Sequence, residues 1–318
     1  MKRALVFPGQ GSQVVGMGRD LAAAFPAARR LFDEVDDALS QPLSQLMFGG
    51  PESDLTLTEN AQPALMAASL AAIRVLESEG GLDLRRHVAF VAGHSLGEYS
   101  ALAAARALGV GDAARLLKLR GQAMQRAVPP GEGAMAALIG LDVATARAVA
   151  AEATQAGLDK DELCAVANDN APGQVVVSGH RAAVERAITI ARAHGARRAV
   201  ILPVSAPFHS PLLASAAAVM AEALGRVTLN PPLVPLVANV SARAIRAPAE
   251  VERLLIEQVT AMVRWRESVL FLADSGVAQI VEIGAGRVLA GLVRRIAPDL
   301  AALSVGLPGE VAALIREL

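Results

Sequence analysis

Short apolar runs alternate with longer alanine- and leucine-rich stretches along most of the chain. The apolar runs end at or near glycines and include residues 4–7, 88–93 and 279–284. The longer stretches have helical character and include residues 20–39, 61–79, 97–107 and 111–128. Strands that are buried on both faces and separated by helices are typical of a parallel sheet with helices on each side. The pattern therefore predicts an α/β fold with a parallel-sheet, α/β hydrolase-like domain.

A different order of elements is predicted between residues 131 and 205. Strand character is found at residues 134–140, 163–168, 174–178 and 199–204, and helical character at residues 143–156 and 181–194. This order, β-α-β-β-α-β, is that of the split ferredoxin-like arrangement. We therefore predict a small ferredoxin-like subdomain at residues 131–205, inserted into a large α/β catalytic domain made of residues 1–130 and 206–318. Stretches containing proline mark both crossing points.

The composition argues against several classes of protein. Of the 318 residues, 53% are hydrophobic and 19% are charged, which suits a buried globular core and not a disordered chain. A formal net charge of -1 gives no electrostatic reason to expect nucleic-acid binding. The one cysteine, Cys164, cannot form an internal disulfide, which fits a reducing compartment. The N-terminal apolar run is too short for a secretory signal and no run is long enough to span a bilayer, so we expect a cytoplasmic protein without a membrane partner.

The sequence Gly93-His94-Ser95-Leu96-Gly97 lies between a predicted strand and a predicted helix. A G-x-S-x-G turn in this position holds the serine in a tight, exposed bend, and the N–H of the next residue points at the oxygen of an attacked carbonyl. The N-terminus of the helix adds partial positive charge where that oxyanion forms. The same letters are common in ordinary glycine turns, so it is the strand–helix context that favours Ser95 as a nucleophile.

A serine nucleophile needs a base, and the chain has five histidines, at positions 87, 94, 180, 194 and 209. His209 lies in an irregular loop between Pro207 and Pro211, and such loops commonly carry catalytic side chains. His94 directly precedes Ser95, which usually aims its ring away from the nucleophile. From the residues alone, a structural role for His209 is as well supported as a catalytic one. No spacing typical of metal ligands is present.

Six blocks of the chain resemble the malonyl-CoA:acyl-carrier-protein transacylase family, and they occur in family order. They are residues 7–13 (FPGQGSQ), 93–99 (GHSLGEY), 120–121 (RG), 170–176 (NAPGQVV), 207–210 (PFHS) and 282–284 (EIG). Each block is weak evidence alone, but together they are specific. The resemblance implies an acyl-carrier-protein S-malonyltransferase. Such an enzyme moves a malonyl group from malonyl-CoA to the phosphopantetheine thiol of acyl carrier protein through a malonyl-serine intermediate, in a ping-pong reaction that supplies fatty-acid or polyketide chain elongation.

The resemblance also assigns roles to individual residues. It implies that Ser95 is acylated and that His209 is the general base. The backbone N–H groups of Gln10 and Leu96 are expected to form the oxyanion hole. The backbone carbonyl of Gln258 is the best candidate to orient His209, so the side chain of Gln258 is expected to matter less than its position. A carbonyl can fix the histidine tautomer without supplying a full counter-charge.

The acyl pocket is expected to carry a cation, because a malonyl thioester ends in a carboxylate that must be paired when it is buried. Arg120 matches the carboxylate-binding arginine of the family and would hold both oxygens. Without the resemblance, a surface arginine on an amphipathic helix is the simpler interpretation. Gln62 and Met124 match family positions near the acyl pocket. Phe208 precedes the histidine, and its ring is expected to crowd a methyl branch and so favour malonyl over methylmalonyl.

The implied partners are malonyl-CoA, as a substrate, and holo acyl carrier protein. No cofactor, metal or nucleic acid is expected, and the chain is expected to be a monomer. One alternative is a serine hydrolase with the same turn, although it should have an orienting acid and no carboxylate clamp. Another is an inactive docking subunit, which the intact Ser95 and His209 disfavour. Malonyl transfer for polyketide synthesis or for a malonate-decarboxylase complex would use the same residues as fatty-acid synthesis.

Overall fold

The structure, a computed structural model, describes residues 2–157 and 162–318. The first elements are β1 (Arg3–Phe7), α1 (Arg19–Ala24), α2 (Pro26–Leu39), α3 (Leu43–Gly49), α4 (Glu52–Thr56), α5 (Thr58–Gly80), α6 (Leu84–His87), β2 (Val88–Gly93), α7 (Gly97–Ala104) and α8 (Val110–Ala127). Next come β3 (Gly133–Ile139), α9 (Val143–Gln155), β4 (Cys164–Ala171), β5 (Gln174–His180), α10 (Arg181–Ala193) and β6 (Arg198–Ile201). After a 3-10 turn (Pro211–Leu213) follow α11 (Ala214–Leu224), β7 (Leu236–Val237), β8 (Ala244–Ile245), α12 (Pro248–Gln258), α13 (Trp265–Asp274), β9 (Gln279–Ile283), α14 (Val288–Ile296), β10 (Ala301–Val305) and α15 (Pro308–Ile315). Within the described ranges, no helix is both long and apolar enough to cross a membrane.

A mostly parallel sheet forms the centre of the larger part of the molecule. Its strands follow the order β10-β9-β1-β2-β7-β8, and the pairs from β10 to β7 are parallel. Alternate residues of β1 enter different cores, with Leu5 and Phe7 on one face and Ala4 and Val6 on the other. Both faces of the sheet are therefore covered, as the unbroken apolar run requires. The predicted α/β fold with a parallel-sheet core is confirmed.

The strand that leads to the loop containing Gly9 and Gly11 and the strand that leads to the serine turn end side by side. Phe7, the last residue of β1, pairs with Gly93, the last residue of β2. The loop after β1 and the turn into α7 therefore begin at the same edge of the sheet. In open α/β sheets, ligands bind at the carboxyl ends of the strands, where such loops meet.

A separate antiparallel sheet is formed by β4, β5, β3 and β6, in that order. Its apolar face packs in a core of its own with α9 and α10, which contribute mostly alanine and valine. The elements follow one another along the chain as β3-α9-β4-β5-α10-β6. A second, antiparallel sheet beside the parallel one is confirmed, whereas the boundaries at residues 130/131 and 205/206 stay a prediction.

The end of β4 joins the antiparallel sheet to the larger part of the molecule. The backbone N–H of Asp169 donates to the carbonyl of Val263 at 3.0 Å. The buried carboxylate of Asp169 pairs with Arg266 at 2.9 Å. The next residue, Asn170, has its Oδ1 2.9 Å from Nε2 of His94. The antiparallel sheet is thus held directly beside the turn that carries Ser95.

Candidate active site

Ser95 lies at the bend between β2 and α7, with a φ of 54°. The glycines on both sides are needed because the backbone is crowded. A Cβ on Gly93 would lie 1.9 Å from the carbonyl carbon of Gly97, and a Cβ on Gly97 would lie 2.2 Å from the carbonyl oxygen of Phe7. The strand–turn–helix context predicted for this motif is therefore present, and Ser95 stands at its tip.

His209 is the histidine that the fold brings to Ser95. Its Nε2 lies 2.8 Å from Oγ of Ser95, and its Nδ1 lies 2.8 Å from the backbone carbonyl of Gln258. Because a carbonyl only accepts, Nδ1 must carry the proton, which leaves Nε2 to accept from the serine hydroxyl. The fold thus places Nε2 of His209 against the Ser95 hydroxyl, and the role of His209 as the base stays a prediction.

The other four histidines are held elsewhere. His94 is bonded to Asn170. His87 accepts from a backbone N–H at position 83, His180 accepts from one at position 163, and His194 faces Glu152. None of these contacts directs a ring at Ser95.

The surroundings of His209 keep it neutral. Burial and, after it, the positive charge of Arg120 lower the pKa of His209 to about 3, against the opposing effect of the Gln258 carbonyl. A neutral imidazole with a free Nε2 is the form that accepts a proton. His209 is therefore in the basic form at every pH where the protein is expected to work.

Arg120 is buried, with 1% of its surface exposed, so the surface-arginine interpretation is wrong. One terminal nitrogen donates to Oε1 of Gln62 at 2.7 Å. The other donates to Oε1 of Gln258 at 2.9 Å and to Oγ of Ser95 at 3.1 Å. A buried guanidinium within hydrogen-bond distance of the nucleophile is placed to receive an anionic group beside it.

The three residues predicted to form the acyl pocket are buried, each near Arg120 or next to His209 in the chain. Gln62 bridges Arg120 and Met124, since its Nε2 lies 3.9 Å from the sulfur of Met124. Gln62 and Met124 are each 1% exposed, and Phe208 is 9% exposed directly before His209. Gln62 therefore contacts the guanidinium directly and Met124 contacts Gln62, whereas Phe208 is the residue before His209 in the chain.

The predicted oxyanion-hole residues come from the loop after β1 and the turn after β2. A Cβ on Gly9 would lie 2.8 Å from the carbonyl oxygen of His94, so only glycine lets these two segments approach this closely. Within the described residues, the backbone N–H groups of Gln10 and Leu96 donate to no protein acceptor. Leu96 directly follows Ser95 at the N-terminus of α7, and Gln10 follows the glycine that approaches His94, so their role as an oxyanion hole stays a prediction.

The side chain of Gln258 also contacts the site, beside the backbone carbonyl that was expected to matter more. Its Oε1 accepts from Arg120, and its Nε2 donates to the carbonyl of Ser95 at 3.0 Å and to a carboxylate oxygen of Glu98. Asn239 is a second residue that sequence reasoning missed. Its Oδ1 accepts from the N–H of Ser95 at 2.8 Å. Glu98 left a signal, as a lone acid in the apolar helix GEYSALAA, whereas Asn239 left none.

Known proteins that resemble this chain are acyl transferases. Residues 4–302 match the family model described as the acyl transferase domain. A malonyl CoA-acyl carrier protein transacylase of Bacillus subtilis strain 168 is 44% identical over 317 residues, covering 100% of this chain and 97% of that protein. An acyl-carrier-protein-S-malonyltransferase structure from Bartonella henselae has a TM-score of 0.96 at 53% identity and covers 100% of this chain and 99% of that one. A malonyl-transacylase solved in complex with a holo type II polyketide-synthase acyl-carrier protein has a TM-score of 0.95 at 41% identity, covering 100% of both chains.

Proposed function

This chain belongs to the malonyl-CoA:acyl-carrier-protein transacylase family, and we propose that it transfers the malonyl group of malonyl-CoA to the phosphopantetheine thiol of acyl carrier protein through a malonyl ester of Ser95. The observation that carries the proposal is the contact of one serine hydroxyl with both a neutral histidine and a buried arginine. Oγ of Ser95 lies 2.8 Å from His209 and 3.1 Å from Arg120.

In the first half-reaction, Oγ of Ser95 attacks the thioester carbonyl while Nε2 of His209 takes the hydroxyl proton. The carbonyl oxygen becomes an oxyanion, which the N–H groups of Gln10 and Leu96 stabilise. The C–S bond then breaks, and His209 returns the proton to the sulfur of CoA. Malonyl-Ser95 and free CoA are left.

Arg120 selects a substrate that ends in a carboxylate. Its two terminal nitrogens carry four protons, of which Gln62 and Gln258 accept one each and Oγ of Ser95 accepts a third. Acylation removes the hydroxyl at Ser95 and frees that third donor. The malonyl carboxylate can then accept one proton from each terminal nitrogen, which is the bidentate arrangement that favours arginine.

In the second half-reaction, the pantetheine thiol gives its proton to His209 as the sulfur attacks the ester carbonyl. The ester C–O bond breaks, and Oγ of Ser95 takes the proton back. Apart from the two substrates, every group that acts in these two steps is a side chain or backbone amide of this one chain. The proposal therefore requires neither a cofactor nor a second subunit, and we propose a monomer.

The test follows the fate of the acyl-enzyme by intact mass. Incubation with malonyl-CoA alone should add one malonyl group to the peptide that contains Ser95, and Ser95→Ala should stay unlabelled. The adduct should persist in buffer and disappear rapidly when holo acyl carrier protein or pantetheine is added, because a thiol held beside His209 has an effective concentration that water lacks. Rapid loss in buffer alone, unchanged by either thiol, would instead identify a serine hydrolase.

A further inference from the structure

Glu98 is a buried acid that the proposed reaction does not use. It lies in the first turn of α7, with 1% of its surface exposed. One carboxylate oxygen accepts from the backbone N–H of Asn239 at 2.7 Å, and the other accepts from Nε2 of Gln258. Within the described residues, no basic side chain lies within ion-pair distance of it. A buried carboxylate without a direct counter-ion is costly, so its position calls for a reason beyond packing.

Both partners of Glu98 hold the reacting groups. Gln258 holds Arg120 with its side-chain oxygen and His209 with its backbone carbonyl. Asn239 accepts from the N–H of Ser95. In the hydrogen-bond network, a single residue therefore separates Glu98 from each of the nucleophile, the base and the cation. A change in the hydrogen bonding of Glu98 can reach all three.

The chemistry of the contact fixes which way the amide of Gln258 faces. An ionised carboxylate only accepts hydrogen bonds, so it must take the NH₂ end of that amide. The carbonyl end is then turned to Arg120, where it accepts from the guanidinium at 2.9 Å. A glutamine at position 98 can turn its own NH₂ to Gln258. The carbonyl of Ser95 would then be the main group opposing the reverse orientation, in which the NH₂ of Gln258 faces the guanidinium. Two donors would then oppose each other in a buried site.

We infer that Glu98 is a positioning residue for malonyl transfer: by holding the NH₂ of Gln258 it turns Oε1 of Gln258 to Arg120 and fixes the guanidinium for the substrate carboxylate. The inference rests on the proposed function. It gives Glu98 a role in substrate choice, since a fixed guanidinium benefits only an acyl group that carries a carboxylate.

The experiment compares Glu98→Gln with wild type in the first half-reaction at roughly pH 9, where the Glu98 carboxylate is ionised, with CoA release measured from malonyl-CoA and from acetyl-CoA. We expect kcat/KM for malonyl-CoA to fall about 10- to 100-fold, the range for a lost hydrogen bond to a charged group, and kcat/KM for acetyl-CoA to fall much less. The matched control is Glu282→Gln. Glu282 is also a fully buried acid and accepts two backbone N–H groups at the start of α14 and the hydroxyl of Ser304. Its replacement should leave the malonyl-to-acetyl ratio unchanged.

A double variant with Gln258 distinguishes a positioning role of Glu98 from a general loss of stability. If Glu98 acts through the Gln258 side chain, then Gln258→Leu should lower the malonyl-to-acetyl ratio as Glu98→Gln does, and the double variant should lower it no further. Should Glu98→Gln fail to fold, Gln258→Leu alone decides, because it keeps the backbone carbonyl. A folded Glu98→Gln or Gln258→Leu with the wild-type ratio overturns the inference. Wild-type protein that forms no malonyl ester in the same assay would overturn the proposed function instead.

Discussion

The hydroxyl of Ser95 has a base on one side and a cation on the other, and the two affect each other. After burial, the charge of Arg120 is the next cause of the low pKa of His209. A malonyl carboxylate bound to Arg120 neutralises that charge, so the pKa of His209 should rise and His209 should become a stronger base. An acetyl group brings no such charge. We therefore expect the substrate carboxylate to contribute to binding and to proton transfer through the same arginine.

Arg120→Ala tests this coupling. Malonyl transfer should lose about 2–4 kcal/mol of transition-state stabilisation, or roughly 30- to 1,000-fold in kcat/KM, whereas acetyl transfer should lose much less. Steady-state kinetics with both CoA esters measures the difference. Arg115→Ala is the control, because Arg115 is an exposed arginine on the same helix that pairs with Asp112. Equal losses for both acyl groups would mean that Arg120 has only a structural role.

We expect the preference for malonyl-CoA over acetyl-CoA to depend on pH through the ionisation of Glu98. Burial raises the pKa of Glu98 to about 8. Burial outweighs the hydrogen bonds of Glu98 with Asn239 and Gln258 and the charge of Arg120 on α8, all of which lower this pKa. Tyr99 beside it on α7 has its own pKa raised to about 12, so Tyr99 stays neutral. The carboxylate that only accepts is thus formed above pH 8 and is lost as the pH falls through 8. We expect the malonyl-to-acetyl ratio of kcat/KM to fall over the same range.

The measurement is that ratio at several values between roughly pH 6 and 9, taken in the first half-reaction so that no acceptor thiol titrates. Glu98→Gln should give a ratio that does not change with pH. Neutral His209 should not contribute, because its pKa of about 3 lies far below this range. A wild-type ratio that is constant across the range would contradict this prediction.

Individual residues were predictable from the sequence where one motif determined their position. The position of Ser95 could be predicted from Gly93 and Gly97, because the turn is so crowded that only glycine fits at those two positions. Arg120 did not follow from its helix, and only the resemblance to a family distinguished it from a surface arginine. The side chain of Gln258 and Asn239 could not be found, since their roles depend on contacts with residues more than a hundred positions away.

At the scale of elements, the crossing of α5 and α8 sets the position of the carboxylate site. Arg120 on α8 and Gln62 on α5 face each other across it. Gly121 stands at the crossing, where an added Cβ would lie 2.5 Å from Cα of Glu59. Backbone cannot yield as a flexible side chain does, so this glycine determines how closely the helices approach.

Gly121→Ala should therefore separate the two helices and move Arg120 away from Gln62. We expect a loss of about 1–3 kcal/mol in the free energy of unfolding, typical of overpacking, together with a higher KM for malonyl-CoA. Urea unfolding and steady-state kinetics measure the two effects. Gly111→Ala on the same helix is the control, because its Cβ would meet only side-chain atoms, the nearest at 3.4 Å. If Gly121→Ala behaves like Gly111→Ala, close approach of the helices is not what holds the site.

The order of the main elements was predictable, but some of their ends were not. The predicted strand at residues 163–168 continues to Ala171. The polar residues Asn168, Asp169 and Asn170 suggest a turn when only neighbours in sequence are considered. In the fold, Asp169 is satisfied by Arg266 and Asn170 by His94, so a strand can carry them. Tertiary contacts of this kind are invisible to a local pattern.

At the scale of the whole molecule, the same polar residues join the two sheets. The composition and the strand order along the chain predicted a parallel core with a second sheet. They could not predict how the two are attached, because the attachment includes an ion pair between positions 169 and 266 and backbone hydrogen bonds with Val263. This pair combines a carboxylate with only 2% of its side chain exposed and a guanidinium with 27% exposed. It lies next to Asn170, whose bond to His94 leads to the serine turn.

Arg266→Met should weaken this attachment, because it leaves the Asp169 carboxylate buried without a cation. The expected loss is about 3 kcal/mol in the free energy of unfolding at neutral pH, measured by urea denaturation. Adding Asp169→Asn should restore much of that loss, since an uncharged amide is far less costly to bury unpaired. The control is Arg253→Met, which breaks an exposed pair with Glu257 on α12 and should cost less than about 1 kcal/mol. If Arg266→Met costs no more than this control, or if Asp169→Asn restores nothing, then the apolar contacts between the two parts hold them together and the ion pair does not.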